Sequence, residues 1–112
     1  MATYKNLFID QGSDFSVMID LNPIVGSLVL TNYTGRGQIR KTYNSSAKTD
    51  FTVTLDSVNK ELVCNLTAAQ TGLLKSGRYV YDLEILSPDS PSIVTRVIEG
   101  QVEVTPRVTL GA

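Results

Sequence analysis

Apolar and polar residues alternate along most of this chain, the period expected of strands with one buried face and one wet face. The longest such pattern runs from Gly77 to Pro106, GRYVYDLEILSPDSPSIVTRVIEGQVEVTP. It predicts a long β-hairpin, opened by Gly77 and closed by Pro106. In its first strand Tyr79, Tyr81, Leu83 and Ile85 share one face, and Val80, Asp82, Glu84 and Leu86 the other. In the second, Val94, Ile98, Val102 and Val104 form a row with Gly100, and Arg96 is the polar member where that row leaves the core. Gly100 has no side chain, so a bulge or a close backbone approach is expected there. Pro88 and Pro91 keep the connecting loop out of further pairing.

The remaining segments read as strands that cover this hairpin. Tyr4 to Ile9 is a short candidate, stopped by Asp10-Gln11-Gly12. Phe15 to Leu21 alternates, and Asn22-Pro23 with Gly26 marks a turn. Leu28 to Tyr33 is ambiguous, and an irregular bridge or short turn delivering Tyr33 to the core is expected. Arg36 to Tyr43 is a more polar strand with Ile39 as its only aliphatic residue, and Asn44 to Lys48 is a loop by composition. Phe51 to Leu55 and Glu61 to Leu66 flank the turn residues Asp56 to Lys60 and predict a second hairpin. One helical signal occurs, over 67–74: Thr67 can cap a short helix and Gln70 completes a capping box. At about two turns it is a connector rather than a layer. Seven or so strands with one helical turn predict an all-β, antiparallel, immunoglobulin-like sandwich, with a small barrel as the alternative. The domain is expected over 1–106, with a short tail over 107–112.

Composition narrows the function classes. At 112 residues the chain has room for one domain with a single core. Ten basic residues against eleven acidic ones leave a net charge of −1, which supplies no attraction for nucleic acid or an anionic membrane surface. The N-terminus lacks the charged start and apolar run of a signal peptide, and no apolar segment approaches the roughly 18 residues of a membrane helix. A soluble product made in a cytoplasm is expected, and the N-x-S/T triplets at Asn32, Asn44 and Asn65 are read as chance. The absence of histidine removes Ser-His-Asp and Cys-His chemistry and histidine-bearing zinc sites. A lone cysteine, Cys64, allows no disulfide framework and sits in an apolar run, as a small buried hydrophobe would.

Each remaining constellation has a plainer reading. Asp10, Asp14 and Asp20, or Asp82 and Glu84, could in principle offer oxygens to calcium, but the loop spacing of a calcium site is missing and solvated acids are expected. Asp82 and Glu84 could equally pair across strands with Arg96 or Arg78. Gly35-Arg36-Gly37 lacks the lysine and helix start of a phosphate loop. Tyr79 and Tyr81 could form a stacking platform for a sugar or a base, but without a basic stripe, core packing is the better account. Arg36, Arg40 and Lys41 make a small basic cluster that suits a protein-interface edge.

The order of motifs carries a resemblance. IDQGSDF at Ile9–Phe15, RGQIRK at Arg36–Lys41, LTAAQT at Leu66–Thr71, GRYVYDLEI at Gly77–Ile85 and RVIEGQVEVTP at Arg96–Pro106 follow one another. Together they resemble the small immunoglobulin-like modules of tailed-bacteriophage virion proteins, such as the N-terminal module of baseplate upper proteins, over about residues 6–106. The resemblance implies a non-enzymatic virion component in a multi-copy assembly, bound to other virion structural proteins. Those modules head longer chains, so a stand-alone copy is expected to be a small tail or baseplate subunit, or a capsid decoration protein. A carbohydrate- or receptor-binding sandwich is the reading from another class. No catalytic, cofactor or metal site is carried across. The surface expected to meet a neighbour is the hairpin's outward set, Asp82, Glu84, Arg96, Glu99, Gln101 and Glu103, with Arg107 in the tail.

Overall fold

Two sheets face one another around one apolar core in the computed structural model, which describes residues 3–108. The larger sheet is built on the predicted hairpin. Its first strand, β8 (Gly77–Leu86), pairs antiparallel with β9 (Val94–Thr105) and, on its other side, with β4 (Thr34–Arg40). A two-residue strand, β5 (Thr49–Asp50), extends the β4 edge. At the opposite edge lie β1 (Thr3–Tyr4) and β2 (Leu7–Asp10), both parallel to β9. The smaller sheet has the order β3 (Phe15–Asp20), β7 (Glu61–Leu66), β6 (Thr52–Asp56), antiparallel throughout. Three strands against a sheet centred on the hairpin is the strand arrangement of an immunoglobulin-like sandwich. The chain crosses between the sheets four times, at 11–14, 21–33, Phe51 and 67–76.

Period-two alternation sets the core. Tyr81, Leu83 and Ile85 of β8 and Ile98, Val102 and Val104 of β9 are buried, as are Leu62, Cys64 and Leu66 of β7. Phe51 sits where the chain changes sheets. Its ring lies 6.5 Å from Phe15 and 6.2 Å from Tyr81, edge-on to the latter, and so joins the two inner faces. Cys64 is fully buried, and burial pushes its thiol up to about 12. At about pH 8 only about one thiol in ten thousand would be the reactive thiolate. Native protein is therefore expected to resist maleimide at Cys64 until denaturant unfolds it; labelling of the native state at the unfolded rate would contradict this packing.

Local chemistry fixes the connections. The Thr67 side chain accepts from the Gln70 backbone N–H (3.2 Å), and the Gln70 side chain accepts from the Thr67 N–H (2.9 Å), starting α2 (Ala68–Gly72) with the expected capping box. Buried Thr71 ties this turn to the crossover: its hydroxyl accepts from the Gly12 N–H (3.0 Å) and donates to the Ser13 carbonyl (2.8 Å). Asn22–Val25 forms a single helical turn, α1, where the sequence pattern shows only a turn.

Several expectations need correction. The irregular bridge does bring Tyr33 against the core, half-buried, but its fully buried plug is Leu30, which the pattern does not single out. The polar strand ends at Arg40, leaving Tyr43 exposed. The row Val94–Arg96–Ile98 does not exist. The register shifts between Leu83 and Glu84, so that Leu83 faces Ile98 while Glu84 faces Arg96. Val97 is the extra residue of this bulge, and Val97 and Ile98 are both buried in succession. Arg96 is thereby turned onto the outer face. At Gly100 the close approach is the correct alternative: a Cβ there would run into the backbone of Lys5.

Candidate protein-interaction face

The side of the larger sheet turned away from the core carries the predicted interface residues. Register places them in rows that cross β4, β8 and β9. One row reads Arg36–Glu84–Arg96, the next Gln38–Asp82–Glu99, and the next Arg40–Val80–Gln101. Beyond these, Arg78 faces Glu103, which in turn faces Phe8 on β2. Asp82, Glu84, Arg96, Glu99, Gln101 and Glu103 thus lie on one face. Arg107 does not join them. It lies at the 11–14 crossover, with its side chain against Gly12 and its backbone N–H donating to the Gln11 side chain (3.2 Å).

The face is polar but internally ordered. Arg36 meets Glu84 at 2.8 Å, and Arg96 bridges Asp82 at 3.4 Å and Glu99 at 3.8 Å. Burial, then the neighbouring Glu84, raises the carboxyl of Asp82 above the usual carboxylate range, while Arg96 acts in the opposite direction. Arg40 is aimed by neutral acceptors, the Gln38 side chain at 3.1 Å and the Ser45 carbonyl at 3.3 Å. Of these, Arg36, Gln38, Arg40, Asp82, Glu84 and Arg96 line an open groove of about 400 Å³, together with exposed Tyr43 and half-buried Val80. Such exposed pairs contribute little to stability, about 0–1 kcal/mol each. Their consequence is to hold the side chains of this face in defined positions.

Arg36, Arg40 and Tyr43 belong to this same face, which the sequence pattern alone does not show, although the first two stand out in it as a basic cluster. Alternation along β4 would have placed Arg36 and Arg40 together, but only the pairing with β8 puts them beside Glu84 and Val80. Tyr79 and Tyr81 do not form an exposed aromatic pair. Tyr81 is buried, and its hydroxyl donates to the Lys5 carbonyl. Tyr79 is half-buried, donates to the Lys75 carbonyl (2.7 Å) and lies beneath Lys41, whose ammonium is 4.8 Å from the ring centre. A sugar-stacking reading thereby loses the feature that suggested it. No family model matches the chain, and no curated protein matches its sequence significantly.

Proposed function

We propose that this chain is a non-enzymatic structural module that docks to other proteins through the outer face of its larger sheet, as a tail- or baseplate-associated subunit of a tailed-bacteriophage virion. The observation that carries the docking reading is the gathering of six predicted interface residues onto one face in charge-ordered rows. The virion setting rests on the motif resemblance between Ile9 and Pro106. A capsid decoration protein would use the same face and differ only in its place in the particle.

Two measurements test this reading. Mass spectrometry of purified tails separated from heads is expected to find the chain in tails; recovery in heads alone at capsid-like abundance would favour decoration, and absence from both would end the virion reading. Charge reversal on the face, Arg96→Glu with Glu99→Arg, is expected to reduce incorporation at least tenfold, about the effect of losing 1.4 kcal/mol of contact energy. Reversal of Glu61 on the outer face of the smaller sheet serves as the control. Equal incorporation of both variants would remove the larger sheet from the docking role.

A further inference from the structure

We propose that the partner of this face is a second copy of the same chain, related by a two-fold axis that lies in the contact plane, perpendicular to the strands, between the rows of Val80 and Asp82. The inference rests on the docking reading above and names its partner.

Charge complementarity carries it. On this face the side chains of Arg78, Glu103 and Arg40 make no ion pair within the chain among the described residues, Arg40 being held by neutral acceptors, whereas Arg36, Arg96, Asp82, Glu84 and Glu99 are ion-paired. The proposed axis carries each row onto the row an equal distance beyond the centre. Arg78 then lies over Glu84 of the second copy, and Glu103 over its Arg96, as the register of β8 with β9 dictates. Arg78 and Glu103 each meet an opposite charge, and Arg40 meets the neutral Gln38. The rows nearer the axis place Val80 over Asp82, Arg40 over Gln38 and Gln101 over Glu99, with no like charges opposed.

Neighbouring choices of axis fail. Centring it on the Asp82 row sets Arg36 over Arg40, and centring it on the Val80 row sets Glu99 over Glu103. An axis running along β8 sets Arg36 over Arg96. Like charges directly opposed across a desolvated contact are costly, and the proposed axis avoids them while giving Arg78 and Glu103 opposite charges. Facing sheets pack within about 30° of alignment, which displaces the outer pairs by about 5 Å, within reach of an arginine. From strand spacing and rise the face offers about 500 Å² per copy, about 1,000 Å² in total, the low end for a specific interface. The dimer is therefore weak in isolation and depends on concentration.

Sedimentation equilibrium of the full chain over a concentration series up to about 1 mM tests this. Wild type is expected to dimerise. The double variant R78E/E103R keeps the net charge and the opposite signs of this cross-strand pair, yet opposes like charges at four points of the dimer. It is expected to weaken association at least tenfold with an unchanged melting temperature. Val80→Asp, which sets carboxylates against one another at the centre, is expected to do the same. A wild type that stays monomeric throughout, or a dimer indifferent to both variants, overturns the proposal. If wild type is monomeric yet R78E/E103R still loses incorporation into particles, the face docks a different virion protein and the proposed function stands without the second copy.

Discussion

Gly100→Ala is expected to detach the N-terminal strand from the sheet while the rest of the sandwich stays folded. Between β1 and β2 the chain passes directly over Gly100, where an added Cβ would meet the carbonyl carbon of Lys5 at 2.8 Å and its nitrogen at 3.3 Å, with the carbonyl oxygen closer still. All three are backbone atoms, so no rotamer change relieves the contact; the strand itself has to move. Movement breaks the bond from the Lys5 N–H to the Glu99 carbonyl (2.8 Å) and that from the Gln101 N–H to the Asn6 side chain (3.2 Å). It also leaves the buried Tyr81 hydroxyl without the Lys5 carbonyl that it donates to. Overpacking and a lost buried hydrogen bond together cost about 2–4 kcal/mol. Tyr81→Phe removes only the hydroxyl and is expected to cost about 1 kcal/mol. Hydrogen exchange separates the two: in Gly100→Ala the amides of residues 3–10 should exchange far faster, while those of β3 and β7 keep their protection. Wild-type exchange over residues 3–10 in that variant would show that the close approach does not hold the strand.

The same site shows what the sequence makes legible and what it hides. A glycine in the middle of an alternating strand signals that backbone or ligand comes close, and that inference needs only local information. The segment that comes close is 95 residues away along the chain, in parallel register with β9, and nothing local announces it. The capping box at Thr67 and Gln70 was readable for the opposite reason, since both partners lie within one turn. The bulge at Val97 had a readable sign, two adjacent apolar residues where alternation allows one. Assigning Val94, Arg96 and Ile98 to one row passed over it. Apart from Arg96, which only the bulge brings to that side, the candidate face was legible as an outward set along β8 and β9, because parity fixes which side chains share a side. It was not legible as charge-ordered rows, because these depend on how β4 pairs with β8 and on which side of the bulge Arg96 falls.

Leu83→Ala is expected to be the most damaging single truncation, at about 3–5 kcal/mol, because the void it leaves cannot close. Leu83 is fully buried at the centre of β8, between Gly37 on β4 and Ile98 on β9. Its Cδ2 occupies the space that a side chain at position 37 would need, so the glycine on one side has nothing with which to refill the cavity. On the other side Ile98 is fixed beside the bulge. The coupling between the two positions makes this more than a core truncation. Gly37→Ala alone is expected to cost about 1–3 kcal/mol, since its methyl meets Leu83 first, then the Asp82 carbonyl at 2.8 Å and the Phe51 ring at 3.2 Å. In the Leu83→Ala background the first of these obstacles is gone and the methyl occupies part of the void. Gly37→Ala should then cost about 1 kcal/mol less than it does in wild type, leaving mainly the carbonyl contact. Denaturant melts of the four proteins give the coupling directly. Additive losses would mean that Leu83 does not lie over Gly37, and the pairing of β4 with β8 that builds the docking face would have to be redrawn.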